Sequence, residues 1–562
     1  MKSAKNRAVL GINAYSHDAG AALVLDGRVV FAAEQERYDR IKHSAAFPRD
    51  AIRAALGFAG IEPGDVDAVA FCWSRGMARW RKAAYVAARL PRSLPFLTQK
   101  PEGLPKRVQY LRSIRRLRRD LLDLGVEAPV RYVEHHRAHA EQAWRFGPGD
   151  DAALITADGM GEWTATATWS ADAAGVRQRR TRSYPHSLGK VYAAVTQHLG
   201  FRPDSGEGKT MGLAAYGRDT LVPRFRDLLA PDDEDLYRVA LREWAYPRGH
   251  TAMAGPRFVE RFGPPRAPDA PVAPAHEDLA FAVQAVVEEV ILGVAQRLRR
   301  DTGARHLGLA GGLFLNCALN GRLRREAGFD SVSCFPAAGD AGAAAGAAAL
   351  VAGSVRAPLE HAFLGDGWTT DEIDAATRGR PVEVVTDPAA WAAAALAEGR
   401  VIGWFQERME FGPRALGARS ILADPRDAAA RDRINETVKF REPFRPLAPA
   451  ALAEEADRWF HADAPSPFML FAVRARDRAR DDAPAAVHVD GTARLQTVAS
   501  GPLRPVLERF HERTGVPILI NTSLNVRGQP IARTPADALA VLDDSALDAL
   551  VLHDRVVSKP LR

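Results

Sequence analysis

Three cysteines, Cys72, Cys317 and Cys334, are all that this chain of 562 residues contains. Their spacing makes neither a disulfide framework nor a paired metal-finger motif, and it fits a reducing compartment. Lysine is scarce too: only ten of the 76 basic residues are lysines, so a lysine retained inside a motif stands out. Long apolar runs are missing. The most apolar segment, residues 337–353, is mostly Ala and Gly and carries Asp340, which argues against a membrane span. No basic stretch, apolar run and cleavage site open the chain in the manner of a secretory signal, so the expectation is a cytoplasmic protein. Charge of one sign is limited as well. A net charge of +7, dispersed over this length, favours a phosphate-bearing small substrate over a nucleic acid. The length exceeds one typical core and predicts two domains.

What is present centres on His135-His136-Arg137-Ala138-His139, between the strand-like residues 130–133 and the helix-favouring residues 140–144. On a helix, His135 and His139 project from one face about one turn apart and can share a metal ion. A capping or packed histidine is the bland alternative for such a pair. Residues 8–13 read as a buried strand, residues 14–20 as a polar turn, and residues 21–25 and 29–33 as a hairpin around Asp26-Gly27. The succession returns at residues 152–156, with Asp158-Gly-Met-Gly161 as a Gly-rich turn and further strands at 164–169 and 175–182. Two such starts, each followed by helical material, predict a duplicated α/β unit with two Gly-containing turns facing a cleft. Backbone N–H groups in such turns can hold phosphate.

Further on, residues 278–299 have helical spacing, and the strand-like residues 306–310 enter the turn Gly311-Gly312. A strand ending in Gly-Gly before a helix lets a purine or ribose lie against backbone, although a plain tight turn reads the same way. Asp340 stands where a strand at 331–335 gives way to a small-residue helix. It is either an N-cap or a metal ligand.

Five motifs then carry a resemblance: Asn13-Ala-Tyr-Ser-His-Asp-Ala-Gly20, Glu134-His-His-Arg-Ala-His-Ala140, Asp158-Gly-Met-Gly-Glu162, Glu207-Gly-Lys-Thr-Met-Gly-Leu-Ala-Ala-Tyr-Gly217 and Leu309-Ala-Gly-Gly-Leu-Phe-Leu-Asn316. In this order and over nearly the whole length, the chain resembles the O-carbamoyltransferases of antibiotic and nodulation-factor biosynthesis. The resemblance implies an α/β protein with an actin-like N-terminal domain over residues 1–355. It also implies a C-terminal YrdC-like domain over residues 373–562 that makes carbamoyl adenylate. Residues 354–372, with Pro358, Gly365 and Gly367, read as the linker between the two. His135, His139, Asp158 and Asp340 would hold one divalent metal, Fe(II) as the best match and Mn(II) or Zn(II) as competitors. His17 would be the general base and Lys42 would stabilise charge in the same cleft, while Gly159, Gly311, Gly312 and Asn316 would cradle the adenylate.

In the second part, residues 406–420, 435–446, 490–494 and 520–525 are similar to the same family. Arg414, Arg419, Lys439, Arg441, Arg445 and Arg494 supply cations for carbamoyl phosphate and ATP with Mg(II), and Asn521 and Ser523 supply neutral hydrogen bonds. The implied reaction moves the carbamoyl group of carbamoyl phosphate, by way of carbamoyl adenylate, to a hydroxyl of a small-molecule natural product. Neither nucleic acid nor membrane is an expected partner, and a homodimer is the assembly to test. Residues 75–109 and 221–274 are the candidate walls of the acceptor pocket.

Other classes fit less well. A His-Glu-x-x-His zinc protease needs a glutamate directly after its first histidine, and His136 or Arg137 stands there. A sugar kinase of actin-like fold explains the phosphate turns but neither the histidine pair nor the second domain. Carbamoyl-type transfer to tRNA would use the arginines of residues 112–120 on RNA, yet that spacing usually makes a solvated helix face. A non-enzymatic binding protein leaves the ligand set unexplained.

Overall fold

Residues 8–13, Ala-Val-Leu-Gly-Ile-Asn, are buried throughout, as a central strand bounded on both faces requires. This strand, β1 (Ala8–Asn13), pairs antiparallel with β2 (Gly20–Leu25), and β2 pairs antiparallel with β3 (Arg28–Glu34). Asp26 and Gly27, both at positive φ, turn the hairpin as expected. On its other side β1 pairs parallel with β4 (Ala68–Phe71), and β4 with β5 (Val130–Tyr132). The five strands run in the order β3-β2-β1-β4-β5. The coordinates are a computed structural model and describe residues 7–74, 76, 78–95, 116–354 and 356–559.

The same pattern recurs. Strands β6 (Ala152–Gly161), β7 (Thr164–Asp172) and β8 (Gly175–Ser183) pair antiparallel in succession. A small hairpin, β9 (Leu229–Asp232) and β10 (Leu236–Val239), precedes β11 (His306–Ala310), which lies parallel to β6, and β12 (Ser331–Cys334), which lies parallel to β11. The order β12-β11-β6-β7-β8 matches the first sheet strand for strand, so the expected duplication is present. One detail differs from the sequence reading. Asp158–Gly161 is no separate turn, because β6 continues through it with an irregular register between Ala157 and Gly161. The helix expected over 278–299 is longer, Pro274–Thr302, with proline at its start and Gly303 at positive φ after its end, both usual at those positions.

Each sheet delivers a helix to the same place. Residues His135–Arg145, the histidine helix, follow β5; residues Asp340–Ala352, the alanine helix, follow β12. Glu134 caps the former by accepting from the Arg137 amide at 2.7 Å. The alanine helix is almost wholly buried because it has little side chain to keep it away from its neighbours. A Cβ at Gly346 would overlap the Ala138 carbonyl, and one at Gly11 would overlap the Ala344 carbonyl. Small residues thus let the alanine helix lie directly on the histidine helix and on β1.

By compactness the chain forms two units, the first of residues 1–35 and 43–359 and the second of residues 36–42 and 360–562. The division falls at Leu359, inside the stretch expected as linker. Gly365 and Gly367 belong to the second unit, where the Gly365 amide donates to Met409 and its carbonyl accepts from Arg408, both at 2.9 Å.

The second unit holds a mixed eight-stranded sheet: β13 (Glu383–Val384), β22 (Arg555–Ser558), β21 (Ala549–Leu552), β14 (Ile402–Phe405), β15 (Arg419–Ala423), β20 (Ile518–Ser523), β16 (Ala448–Leu452) and β19 (Gln496–Val498), in that order. A separate pair, β17 (Ala472–Arg474) and β18 (Thr492–Arg494), lies antiparallel. Alternate residues serve opposite faces. Val551 packs with Leu396, Leu507 and Phe510 on one side, while Leu550 and Leu552 pack with Ile373, Leu539 and Leu542 on the other. The period of two places helices on both faces. Among the described residues no helix is long and apolar enough to cross a membrane.

Candidate metal centre and anion cluster

The first turn of the histidine helix and the first residue of the alanine helix converge beside Asp158 on β6. His135 Nε2 lies 3.4 Å from both Asp158 Oδ2 and Asp340 Oδ1; His139 Nε2 lies 3.0 Å and 3.7 Å from the same two atoms. All four residues are buried, and their ligand atoms fall within 4.8 Å of one another. Both tautomers are set from behind. His135 Nδ1 donates to the Cys72 carbonyl at 3.3 Å, and His139 Nδ1 donates to Gln142 Oε1 at 3.0 Å. Gln142 is itself oriented, because its Nε2 donates to the Ala337 carbonyl at 2.7 Å. Each Nε2 is therefore the nitrogen that faces the carboxylates, and it is free to serve a metal ion once its proton is displaced.

The set fits a cation. His139 Nε2 and Asp158 Oδ2 are buried atoms without a hydrogen-bond partner among the described residues, an arrangement that a metal ion satisfies. Burial would raise the Asp158 carboxyl, but the two imidazoles outweigh it and hold Asp158 well below the usual carboxylate range. Burial would likewise lower His139; the charge of Asp158 overrides it and leaves the group at about 9. These carboxylates stay charged and face the two nitrogens, as binding of a dication needs. His136, between the two, takes another course. Its Nδ1 meets Thr156 Oγ1 at 2.8 Å, its Nε2 donates to the Thr164 carbonyl at 3.1 Å, and burial pushes it down to about 3.

Around this centre stand the other residues expected in the first unit. The Gly312 amide donates to Asp158 Oδ1, and Gly311, at positive φ, donates to the Ala338 carbonyl at 2.7 Å. Gly159 lies against the Lys190 side chain. Asn316 caps the helix Cys317–Glu326 and pairs with Gln284 at 2.8 Å, so its side chain is committed to structure. His17 stands in the turn between β1 and β2, 39 % exposed, with Nδ1 at 3.1 Å from Asp18. Burial opposes its protonation, but Asp340 and then Asp18 raise it to about 10.

Two residues that the sequence reading did not single out organise this corner. Asn13 donates to the carbonyls of His17 and Asp18 at 3.3 and 3.0 Å, which shapes the turn carrying His17. Its Oδ1 accepts from Trp73 Nε1 at 2.8 Å, and the Trp73 ring stacks on His135 with centroids 4.0 Å apart. Gln142 is a third such residue, and it was discoverable as the position three beyond His139 on the same helix face.

In the second unit, cations crowd together. Lys439 is buried, and its Nζ donates to the Ser523 and Asn525 carbonyls, each at 2.7 Å, and to Asn525 Oδ1 at 2.5 Å. Burial pushes its ammonium well down, and Arg441, Arg445 and Lys42 push it further. Arg441 is lowered to about 9 by burial, then by Arg445 and Arg494. An anion relieves such a cluster. Ser523 Oγ donates to Asn525 Oδ1 at 2.7 Å, which adds Asn525 to the expected residues. Asn521 is buried and donates to Gln496 Oε1 at 2.8 Å. Arg414 lies within electrostatic reach of Lys42.

One expectation shifts. Arg419 is wholly buried, with its guanidinium 3.6 Å from the Phe405 ring centroid and its terminal nitrogens donating to the carbonyls of Gln406, Glu407 and Ala418. It braces the 406–418 loop with the donors expected to meet phosphate. Lys42, expected to stabilise charge in the cleft of His17, groups by compactness with the second unit, a grouping that leaves that expectation open. Of the candidate acceptor wall 75–109, residues 75, 77 and 96–109 lie outside the described residues, as do the arginines of 112–115 weighed for RNA.

One α/β unit thus carries a buried His₂Asp₂ set of the kind that can hold a metal ion, and the other carries a cluster of crowded cations. A family model described as the carbamoyltransferase N-terminus matches residues 8–349, and one described as the carbamoyltransferase C-terminus matches residues 393–559. The chain belongs to the carbamoyltransferase family. An uncharacterized protein of Synechocystis sp. is 38 % identical, with 98 % of this chain and 96 % of the relative covered. The nodulation protein NolNO of Sinorhizobium fredii is 35 % identical over 97 % and 80 %, and nodulation protein U of Rhizobium tropici 30 % identical over 92 % and 90 %. Among solved structures, full-length HypF in its phosphate- and nucleotide-bound form covers 62 % of this chain and 46 % of its own at 12 % identity, with a TM-score of 0.31.

Proposed function

We propose that this protein is an ATP-dependent O-carbamoyltransferase that acts on a hydroxyl of a small-molecule natural product through carbamoyl adenylate. The observation that carries the reading is the pairing of two unlike centres in one chain of this family: a buried ligand set for a dication and a crowd of half-buried arginines around the buried Lys439 that calls for anions. The second unit, read as a YrdC-like domain, takes carbamoyl phosphate and ATP. One water splits carbamoyl phosphate into carbamate and phosphate, and a carbamate oxygen then displaces pyrophosphate from the α-phosphorus of ATP. Arg441, Arg445 and Arg494 bind the phosphates, and Lys439 holds the Ser523–Asn525 loop against them.

The first unit, read as actin-like from its duplicated sheets, performs the transfer. Gly159, Gly311 and Gly312 offer backbone close to the adenylate, and His17, neutral once a bound cation offsets the charge of Asp340 that holds it protonated, takes the proton of the acceptor hydroxyl as that oxygen attacks the carbamoyl carbon and AMP leaves. His135, His139, Asp158 and Asp340 would hold one divalent metal, Fe(II), Mn(II) or Zn(II), which supplies Lewis-acid polarisation of a carbonyl or phosphoryl oxygen when bound. Burial of these ligands keeps water from the mixed anhydride.

The test is pyrophosphate release from ATP by the intact protein without acceptor. Release that requires carbamoyl phosphate, together with loss of acceptor carbamoylation but not of pyrophosphate release in Asp340→Ala, is the expected result. Absence of such release from folded, metal-loaded protein refutes the two-step reading.

A further inference from the structure

Seven residues are out of sequence order. Glu36–Lys42 fold with the second unit, although β3 before them and His43 after them belong to the first. The cause is a set of long basic side chains that find backbone carbonyls. Arg37 is 2 % exposed and donates to the Gly412 carbonyl at 2.8 Å. Arg40 donates to the Ile531 and Pro530 carbonyls at 2.7 and 3.0 Å. Between them, Tyr38 lies under the Arg533 guanidinium, 4.5 Å from ring centroid to carbon, and Arg533 is itself held by Asp366 at 2.9 Å. A guanidinium fork suits such carbonyl clamps, because it presents several fixed donors and loses little hydration.

The two docking points are informative. Gly412 stands two residues before Arg414. Pro530 and Ile531 follow Gln529, whose carbonyl accepts from Asn525 Nδ2 at 2.6 Å, and Asn525 in turn accepts from Lys439. The strap is therefore fastened to the two loops that bear the anion cluster. Arg40, at positive φ, turns the chain directly after the second fastening. Lys42 follows; its side chain reaches solvent, yet the protein packed around it, and then Arg445, Arg37 and Arg414, lower its ammonium against the pull of Glu36.

We infer that Lys42 is a phosphate-binding residue of the second unit, delivered to the Arg414, Lys439 and Arg445 cluster by the Glu36–Lys42 strap, so that formation of the adenylate depends on a piece of N-terminal sequence. The inference rests on the reading of that cluster as the carbamoyl phosphate and ATP site. It assigns Lys42 to the first half-reaction rather than to transfer.

The experiment uses the full-length protein. Carbamoyl-phosphate-dependent pyrophosphate release is measured without acceptor for wild type, Lys42→Ala and Lys42→Arg, and Mg-ATP and inorganic phosphate binding are measured by calorimetry on the same proteins. Lys42→Ala raises KM for a phosphate-bearing co-substrate about tenfold or more and weakens phosphate or Mg-ATP binding, with partial rescue in Lys42→Arg. Wild-type KM and binding in Lys42→Ala, with only acceptor carbamoylation reduced, overturns the inference. If wild type itself releases no pyrophosphate, the carbamoyl adenylate reading fails, and the binding arm still judges Lys42: weakened affinity supports it and unchanged affinity refutes it. Should Lys42→Ala lose its fold by circular dichroism, Lys42→Gln in the same two assays decides.

Discussion

The two halves of the first unit share one strand order and one helix placement but finish their strands and helices with different chemistry. In the first half β1 ends at Asn13, whose Oδ1 is taken by Trp73 and whose amide hydrogens hold the His17 turn. In the second half β6 runs on into Asp158, whose Oδ2 has no hydrogen-bond partner among the described residues. The helix after β5 begins with a histidine that stacks on Trp73, and the helix after β12 begins with the aspartate Asp340. Duplication thus brings two helix starts together, and divergence makes them unlike. One half supplies neutral nitrogen ligands and the other supplies the two charges that a dication requires.

The largest expected effect comes from removing that difference at a ligand. His139→Ala or Asp158→Ala weakens binding of one equivalent of divalent metal by more than about a hundredfold, beyond what loss of a supporting hydrogen bond does. Metal content after dialysis and competition with a chromogenic chelator measure it. Binding that survives both substitutions breaks the assignment of unlike roles to the two halves. Next in size is the contact that lets the helices meet. Gly346→Val places side-chain atoms where the Ala138 carbonyl already stands and lowers stability by about 1–3 kcal/mol or more, read by denaturant unfolding.

Both halves were legible in the sequence for one reason: their central strands are buried on two faces, so residues 8–13 and 152–156 read as mostly apolar runs. The histidine pair was legible because helical spacing is local. The sequence puts Asp158 in a turn because no periodicity signals that β6 continues through an irregular register. Arg419 sits in a motif rich in cations and looks like a phosphate ligand until its burial is known. The strap was invisible for a deeper reason, since Arg37 and Arg40 find partners 375 and 491 residues away, and nothing in a local pattern reports such distances.

A smaller effect sharpens the comparison from behind the ligands. Trp73→Leu removes the ring that stacks on His135, and Gln142→Leu removes the acceptor of His139 Nδ1–H. Each lowers metal affinity by about tenfold, the lower end of the range for groups that orient a ligand, and leaves the fold intact by circular dichroism. Equal effects mean that the two histidines depend alike on their supports. An effect confined to Gln142→Leu means that the Asn13–Trp73 arrangement of the first half serves the His17 turn alone.

The smallest expected effect is in pH dependence and belongs to the second half. Burial, and then Asp204, raises Glu207 to about 7 from an ordinary 4.5, and its Oε1 accepts from the Asp204 amide at 2.8 Å. The unfolded chain holds this proton less tightly than the folded protein. The contribution of Glu207 to stability is therefore complete below about pH 4.5 and is lost as pH rises through 7. Because the residue is only half-buried, the loss is on the order of 1 kcal/mol after solvent screening. Glu207→Gln removes this titration, so its stability relative to wild type improves between pH 5 and pH 8 in parallel denaturant titrations. An unchanged difference across that range shows that Glu207 ionises without cost where it stands, and that the Asp204 amide compensates the buried charge.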